Sequence, residues 1–233
     1  MPSKVLYRKG RKAKRVSRFS KSSARAKTNG VKRTWPLASR GFGPLFDPFP
    51  SKATAILRYS ENISLDPTAG VPAPYLFRAN SIHDPDFTGT GHQPYGHDTY
   101  ASIYNHYNVR SAIITMTPVA ATSGIFGISL ADDSSVNSNY NTIRETKGSR
   151  FAVITNGAGP TQTVTNYYNV NQWFDLPFQK STSASFGASP SEAAVFHCWY
   201  EGNTEAGNSA STPFVITITY TVDMWELKDL GQS

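Results

Sequence analysis

Three histidines and three aspartates crowd one stretch, Ile82 to Asp98, which reads IHDPDFTGTGHQPYGHD. His83, His92 and His97, set among Asp84, Asp86 and Asp98, offer two chemistries. Imidazole nitrogens with a carboxylate suit a transition metal, and three carboxylates suit Ca²⁺ through oxygen. The spacing matches neither kind of site, and the H-x-H with a later Glu of cupin-type enzymes is missing. The stretch therefore reads as a Gly/Pro-shaped loop whose His and Asp residues fix turns and subunit contacts. Metal is not assigned; Asp84, Asp86 and Asp98 are the residues that would hold Ca²⁺ at a subunit interface if one bound.

Other catalytic chemistry is hard to place. The chain has no G-x-x-x-x-G-K-[ST] phosphate cradle, no His-hydrophobic-His pair of the rolling-circle nuclease kind and no G-x-S-x-G elbow. Its one cysteine, Cys198, sits in AVFHCWY with Phe196 and Tyr200 on its own face of a strand, and reads as core. A lone cysteine also excludes an intrachain disulfide framework and fits a reducing compartment. No catalytic residue and no cofactor are assigned, so the chain reads as a non-enzyme.

The second chemistry is charge. Residues 1–40 hold fourteen of the 23 Lys and Arg and no acid, whereas the remainder holds nine basic and sixteen acidic residues, a net of −7. Like charge at this density repels itself and typifies interaction tails. Apolar residues are sparse and at no helical spacing, which predicts a disordered arm that orders on a partner. Phosphates are the natural partner, because each one neutralised releases condensed counterions. Lys4, Arg8, Lys9, Arg11, Lys12, Lys14, Arg15, Arg18, Lys21, Arg25, Lys27, Lys32 and Arg33 are assigned to nucleic acid. Tyr7, Phe19 and Trp35 could stack on bases, which favours single strands. The same Lys/Arg clusters fit nuclear import. An anionic membrane surface fits less well, for want of an amphipathic stripe. Cations on phosphates do not separate DNA from RNA.

These residues need elements to hold them. Six Gly and Pro between Pro36 and Pro50 mark a hinge, which divides the chain into an arm (1–40), a hinge (41–50) and a body (51–233). In the body, FVITITYTV (Phe214 to Val222) alternates strictly, as a half-buried strand does. Seven more strands are predicted at Ala53–Ser64, Ala73–Asn80, Asn108–Val119, Ser123–Leu130, Arg150–Thr155, Thr161–Val170 and Ala194–Tyr200. A short helix is predicted at Asp98–Tyr107, on the spacing of Tyr100, Ile103, Tyr104 and Tyr107. Long loops are predicted at Asp84–Asp98, Asp132–Ser149, Asn171–Pro190 and Glu201–Thr212. The charge-free run Ser111 to Ala131 is broken by TMTPVAATSG and reads as two strands and a turn, with no membrane insertion. The N-terminus, charged with no apolar stretch behind it, is unlike a secretory signal. Eight strands with loops of mixed length predict an all-β sandwich, with the eight-stranded jelly roll as its natural form beside an immunoglobulin-like one.

The ordered set Phe77-x-Ala79-Asn80, Asp84-Pro85-Asp86, Gly91-His92-Gln93-Pro94 and Tyr104-x-x-Tyr107-x-Val109 resembles a segment of capsid proteins of circular, Rep-encoding single-stranded DNA viruses, the circovirus-like group. The resemblance covers residues 77–112; the basic arm and the eight-strand body extend it in organisation only. It implies a jelly-roll subunit, an icosahedral T=1 shell of 60 copies, an arm facing a single-stranded DNA genome, nuclear targeting, and residence in the virion and the host nucleus. The arm departs from circoviruses proper, mixing Lys, Ser and Ala where they carry a nearly continuous Arg tract. Sixty such arms would bring about 840 positive charges inside, enough for part of a genome of a few kilobases. Two other classes fit the composition: a cellular nucleic-acid-binding β-sandwich that does not assemble, and a jelly-roll metal- or carbohydrate-binding protein using the His83–Asp98 loop. No host receptor can be read from the residues.

Overall fold

The alternation at Phe214 extends over sixteen residues, Thr212–Leu227, the longest strand among the described residues, here labelled β9. Phe214, Ile216, Ile218, Tyr220, Val222 and Met224 point inward and are buried, while Val215, Thr217, Thr219, Thr221 and Asp223 are half-exposed. A period-two pattern this long fixes register, because a one-residue slip would turn every apolar side chain outward. β9 is accordingly central, antiparallel to β1 (Lys52–Leu65) on one side and β3 (Tyr104–Pro118) on the other.

The computed structural model describes residues 48–68, 71–119, 123–137, 139–154, 162–174, 180–202 and 211–229. The chain divides into two units, Met1–Phe46 and Asp47–Ser233, and all described residues lie in the second. The arm, and with it every residue assigned to nucleic acid, lies outside the described residues, as does most of the hinge.

With β2 (Ala73–Arg78), β4 (Gly124–Ala131), β5 (Arg150–Ile154), β6 (Val164–Asn169), a three-residue β7 (Ser183–Ser185) and β8 (Val195–Gly202), the strands form two sheets. One runs β1-β9-β3-β6, with β7 added on β3, and the other runs β2-β8-β4-β5. All pairings are antiparallel. Two four-stranded sheets in this interleaved order make an eight-stranded jelly roll. The predicted eight strands are all present, and β7 is an addition inside a predicted loop.

The core lies between the sheets. Leu57, Tyr59, Ile114, Met116, Tyr168 and the inward row of β9 meet Phe77, Phe126, Ile128, Phe196, Cys198 and Tyr200. Phe214 packs against Phe126 and Tyr200, each with ring centroids 5.5 Å away. Cys198 is fully buried and burial pushes its thiol pKa up, so it is core, as its strand position predicts. Asn166 crosses between the layers, its Nδ2 donating to the Ile128 and Gly148 carbonyls at 2.9 Å each.

β8 is buried on its outward face too. His197 Nε2 donates to the Asp133 carbonyl at 2.8 Å, Arg144 of α2 (Tyr140–Glu145) pairs with Glu201, and Trp199 lies over Gly127. The Asp132–Ser149 loop thus carries a helix that packs on the sheet. Two further short elements, α3 (Val170–Trp173) and a 3-10 turn at Lys180–Thr182, fall in or beside the predicted Asn171–Pro190 loop.

The predicted helix at Asp98–Tyr107 needs correction. α1 spans only His97–Ala101, and Tyr104 already begins β3, paired with Leu227. Tyrosines at 100, 104 and 107 mimic a helical face, but pairing with a long central strand outweighs a spacing carried by four residues. The Ser111 to Ala131 run is indeed two strands, the end of β3 and β4. Among the described residues no helix is long and apolar enough to cross a membrane.

Candidate functional site

The loop between β2 and α1 is built from its backbone. After Arg78 the chain turns back along the edge of β2: Arg78 N–H donates to the Pro85 carbonyl at 2.7 Å and Phe87 N–H to the Leu76 carbonyl at 3.1 Å. Arg78 holds this return. Its Nη1 reaches the Asp84 carbonyl at 2.8 Å and the Asp84 carboxylate at 3.2 Å, and its guanidinium lies 4.5 Å over the Phe87 ring.

Asp86 is fully buried, yet its carboxylate is well supplied with donors. Tyr75 O–H reaches Oδ2 at 2.9 Å, Thr88 O–H reaches it at 2.8 Å, and Thr88 N–H reaches Oδ1 at 2.9 Å. Burial and this bond push the Tyr75 pKa up to about 12. Gly91 passes so close that a Cβ there would sit 2.6 Å from Asp86 Cβ and 2.8 Å from Tyr59 Oη, so only glycine fits.

From Gly91 the chain crosses to the edge of β1. His92 lies against the Tyr59 ring, its Nε2 is 3.1 Å from the Ser60 carbonyl and its Nδ1 is 2.8 Å from the Gln93 carbonyl. Tyr95 N–H adds a bond to the Arg58 carbonyl at 3.1 Å. The bonds to carbonyls raise the His92 pKa against an opposing effect of burial. Gly96, at φ 89°, then turns the chain into α1. His97 is buried beneath Phe186 with its Nδ1 on Asp98 at 2.9 Å, and the His83 ring lies 6.4 Å away.

The six candidates therefore occupy three separate surroundings. Asp84 and Asp86 serve the β2 edge, His92 serves the β1 edge, and His83 and Asp98 adjoin His97. Among the described residues no three His, Cys, Asp or Glu side chains come together to hold a metal ion. Within one chain Asp84, Asp86 and Asp98 do not converge: Asp84 is paired with Arg78, Asp86 is taken up by its donors, and Asp98 is exposed. The other residues of the ordered set are structural. Phe77, Ala79, Asn80, Tyr104, Tyr107 and Val109 are buried, and Asn80 bridges to the Glu192 carbonyl and Ala194 N–H.

A second cluster escapes sequence reading. At the start of β1, Lys52 pairs in register with Trp225, and Trp225 with His106 of β3, so the three stand side by side on the outward face of their sheet. The Trp225 and His106 rings stack 5.8 Å apart at 24°. Asp223 is held by Thr54 O–H at 2.6 Å and Arg110 Nε at 3.4 Å, and Glu226 by His106 Nε2 at 3.1 Å. The signal was available: alternation continues past Val222 through Asp223, Met224 and Trp225.

No protein-family model matches the chain, and no curated protein matches it. Solved structures of virus proteins share its fold. A chain from the structure of Cocksfoot mottle virus aligns at 12% identity over 76% of this chain and 96% of that one, with a TM-score of 0.50. One from tobacco necrosis virus aligns at 14% identity over 78% and 85%, also with a TM-score of 0.50. A decameric BFDV capsid protein aligns at 9% identity over 74% and 99%, with a lower TM-score of 0.43.

Proposed function

We propose that this chain is the coat protein of a small icosahedral virus and packages a single-stranded genome. The carrying observation is the union in one chain of a jelly roll shared with chains of two virus structures and an acid-free segment of fourteen cations. The work divides between them. Residues 1–40 supply sequence-independent attraction to phosphate. Residues 41–233, at net −7, repel nucleic acid on average and supply the geometry of assembly.

The loop from Arg78 to Asp98 supports this division. It occupies the free edges of both β1 and β2, which blocks open-ended pairing of strands between copies. Contacts that close a shell are then left to faces and loops. The resemblance of residues 77–112 favours DNA over RNA, a T=1 shell of 60 copies, and import to the host nucleus through the arm's basic clusters.

Expression of the full chain, negative-stain microscopy and nuclease digestion of co-purified material test the reading together. Shells holding DNase-sensitive, RNase-resistant strands are expected, and a variant lacking residues 1–40 should keep a folded body without nucleic acid. A chain that stays monomeric, or a truncated body that binds nucleic acid tightly at high salt, would sink it.

A further inference from the structure

The two sheets differ in what covers them. Across the outward face of β2-β8-β4-β5 lies the Asp132–Ser149 segment, held through His197 and the Arg144–Glu201 pair. Over most of the other sheet no described segment does so. The outward residues of β1 from Lys52 to Ser64 are all exposed, and those of β9 from Pro213 to Asp223 are half-exposed. Arg58, Thr219, Ile113 and Tyr167 stand in register across its four strands. Ile56 there is 72% exposed, Tyr167 50% and Ile113 49%. Strands β1, β3 and β9, with β6, give this face a footprint of roughly 700 Å² at about 3.3 Å per residue and about 4.8 Å per strand. Each partner in a stable interface contributes roughly 800 Å².

Charge separates the two sides. The body is net −7, yet the bare face gathers four of its nine cations: Lys52, Arg58, Arg110, and Arg150, whose guanidinium lies 4.8 Å over the Tyr167 ring. The acids against them are Asp223 and, at the end of β9, Glu226, already held by Arg110 and His106. On the other side the covering segment exposes Asp132, Asp133 and Glu145, with Lys147 as its one exposed cation. Beside it Phe151 and Val153 of β5 are 51% and 46% exposed on the same outward face. One side therefore joins apolar groups to a surplus of two cations, and the other joins apolar groups to a surplus of two acids.

Magnitude selects the occupant. Two surplus cations are few beside the fourteen of residues 1–40, so the bare face adds little as a phosphate binder. Against the acidic side of another copy they balance, and every copy carries both sides. We propose that the bare face of β1-β9-β3-β6 docks on the side of a second copy that carries Asp132, Glu145 and Phe151. The contact joins different surfaces of two copies, so its repetition closes a ring or runs on as a filament. It rests on the coat-protein reading, to which it adds the lateral contact between subunits.

The full chain supplies the test. A carbodiimide, which couples an amine to a neighbouring carboxylate, should join Lys52 to Asp132, Asp133 or Glu145 in assembled wild-type material. Mixed isotope labelling should show that link to run between copies. Lys52→Glu with Arg58→Glu should lower the yield of particles about tenfold or more, because like charges then meet. Adding Asp132→Lys and Glu145→Lys to the same chain should restore it. Thermal melts show whether each variant is folded, and the wild-type crosslinks decide the matter should a variant unfold. Links between copies that leave Lys52 out, or assembly untouched by the first reversal, would overturn the interface and leave the coat-protein reading standing. So would a first reversal that strips nucleic acid from particles that still form, which would give the face to the genome. A wild-type chain that stays monomeric would remove both.

Discussion

The imidazole of His92 lies on the phenol ring of Tyr59 with ring centroids 4.5 Å apart, and each of its nitrogens faces a backbone carbonyl. A neutral imidazole has one N–H and one lone pair, so it satisfies only one of those carbonyls; the imidazolium satisfies both. Glu61 of β1, hydrogen-bonded to Tyr59, adds a favourable negative charge. Asp86 lies on the same side through Gly91, while Arg58 projects from the opposite face of β1.

The raised His92 pKa sets the sign of a pH effect. Its contribution is complete below the ordinary histidine value and is lost as pH rises through the folded one. Hydrogen exchange at Tyr95 N–H, bonded to the Arg58 carbonyl, reads it directly. Corrected for intrinsic rates, protection should fall between about pH 6 and about pH 8. His92→Gln should show low protection at both. A flat wild-type profile rules the clamp out.

His197 should act with the opposite sign. Burial lowers its pKa, and its Nε2–H is committed to the Asp133 carbonyl. A group with a depressed histidine pKa contributes stability above the unfolded value and loses it as pH falls towards the folded one. Melting temperature should therefore drop on the acid side of neutrality, and His197→Gln should lower the neutral melt while flattening that drop. An acid limb as steep as the wild type's would assign it to other groups.

Gly91→Ala tests the crossing between the two edges. The added Cβ meets Asp86 Cβ and Tyr59 Oη well inside van der Waals contact, and both are pinned by hydrogen bonds. Overpacking of this kind costs about 1–3 kcal/mol. Denaturant unfolding should show a lower midpoint with an unchanged slope, and Tyr95 protection should fall with it.

The strands were legible wherever one face is buried, since alternation then records burial directly; β9 and β1 are the clear cases. Legibility failed where another pattern imitated it. Tyr100, Tyr104 and Tyr107 suggest a helical face, but the last two serve a strand whose hydroxyls reach the Pro50 and Ala188 carbonyls. Short elements such as α2 and β7 carry too few residues to show any period. For the loop, the sequence marked its six polar residues as a group because they are neighbours along the chain. The fold separates them into three settings, since the chain crosses from the β2 edge to the β1 edge and then into α1. Trp225 and His106 went unnoticed for the converse reason: they are far apart in sequence and meet only through strand register.

Asn166 gives the most severe prediction. It is buried between the sheets, donates from Nδ2 to the Ile128 and Gly148 carbonyls and accepts from Tyr167 N–H at 2.9 Å. Asn166→Asp keeps its shape and removes both donated bonds, leaving a carboxylate oxygen against two carbonyls. Each buried group left unsatisfied costs about 1–3 kcal/mol, so the two carbonyls imply a loss of about 2–6 kcal/mol at neutral pH. The same repulsion favours the protonated acid in the folded state, whose one O–H can donate to one of the two carbonyls, so part of the stability should return as pH falls through the folded carboxyl value. Unfolding free energies of the variant and the wild type should lie closer together in mild acid than at neutral pH. A constant difference would mean that Asn166 fills space between the sheets without bonding them.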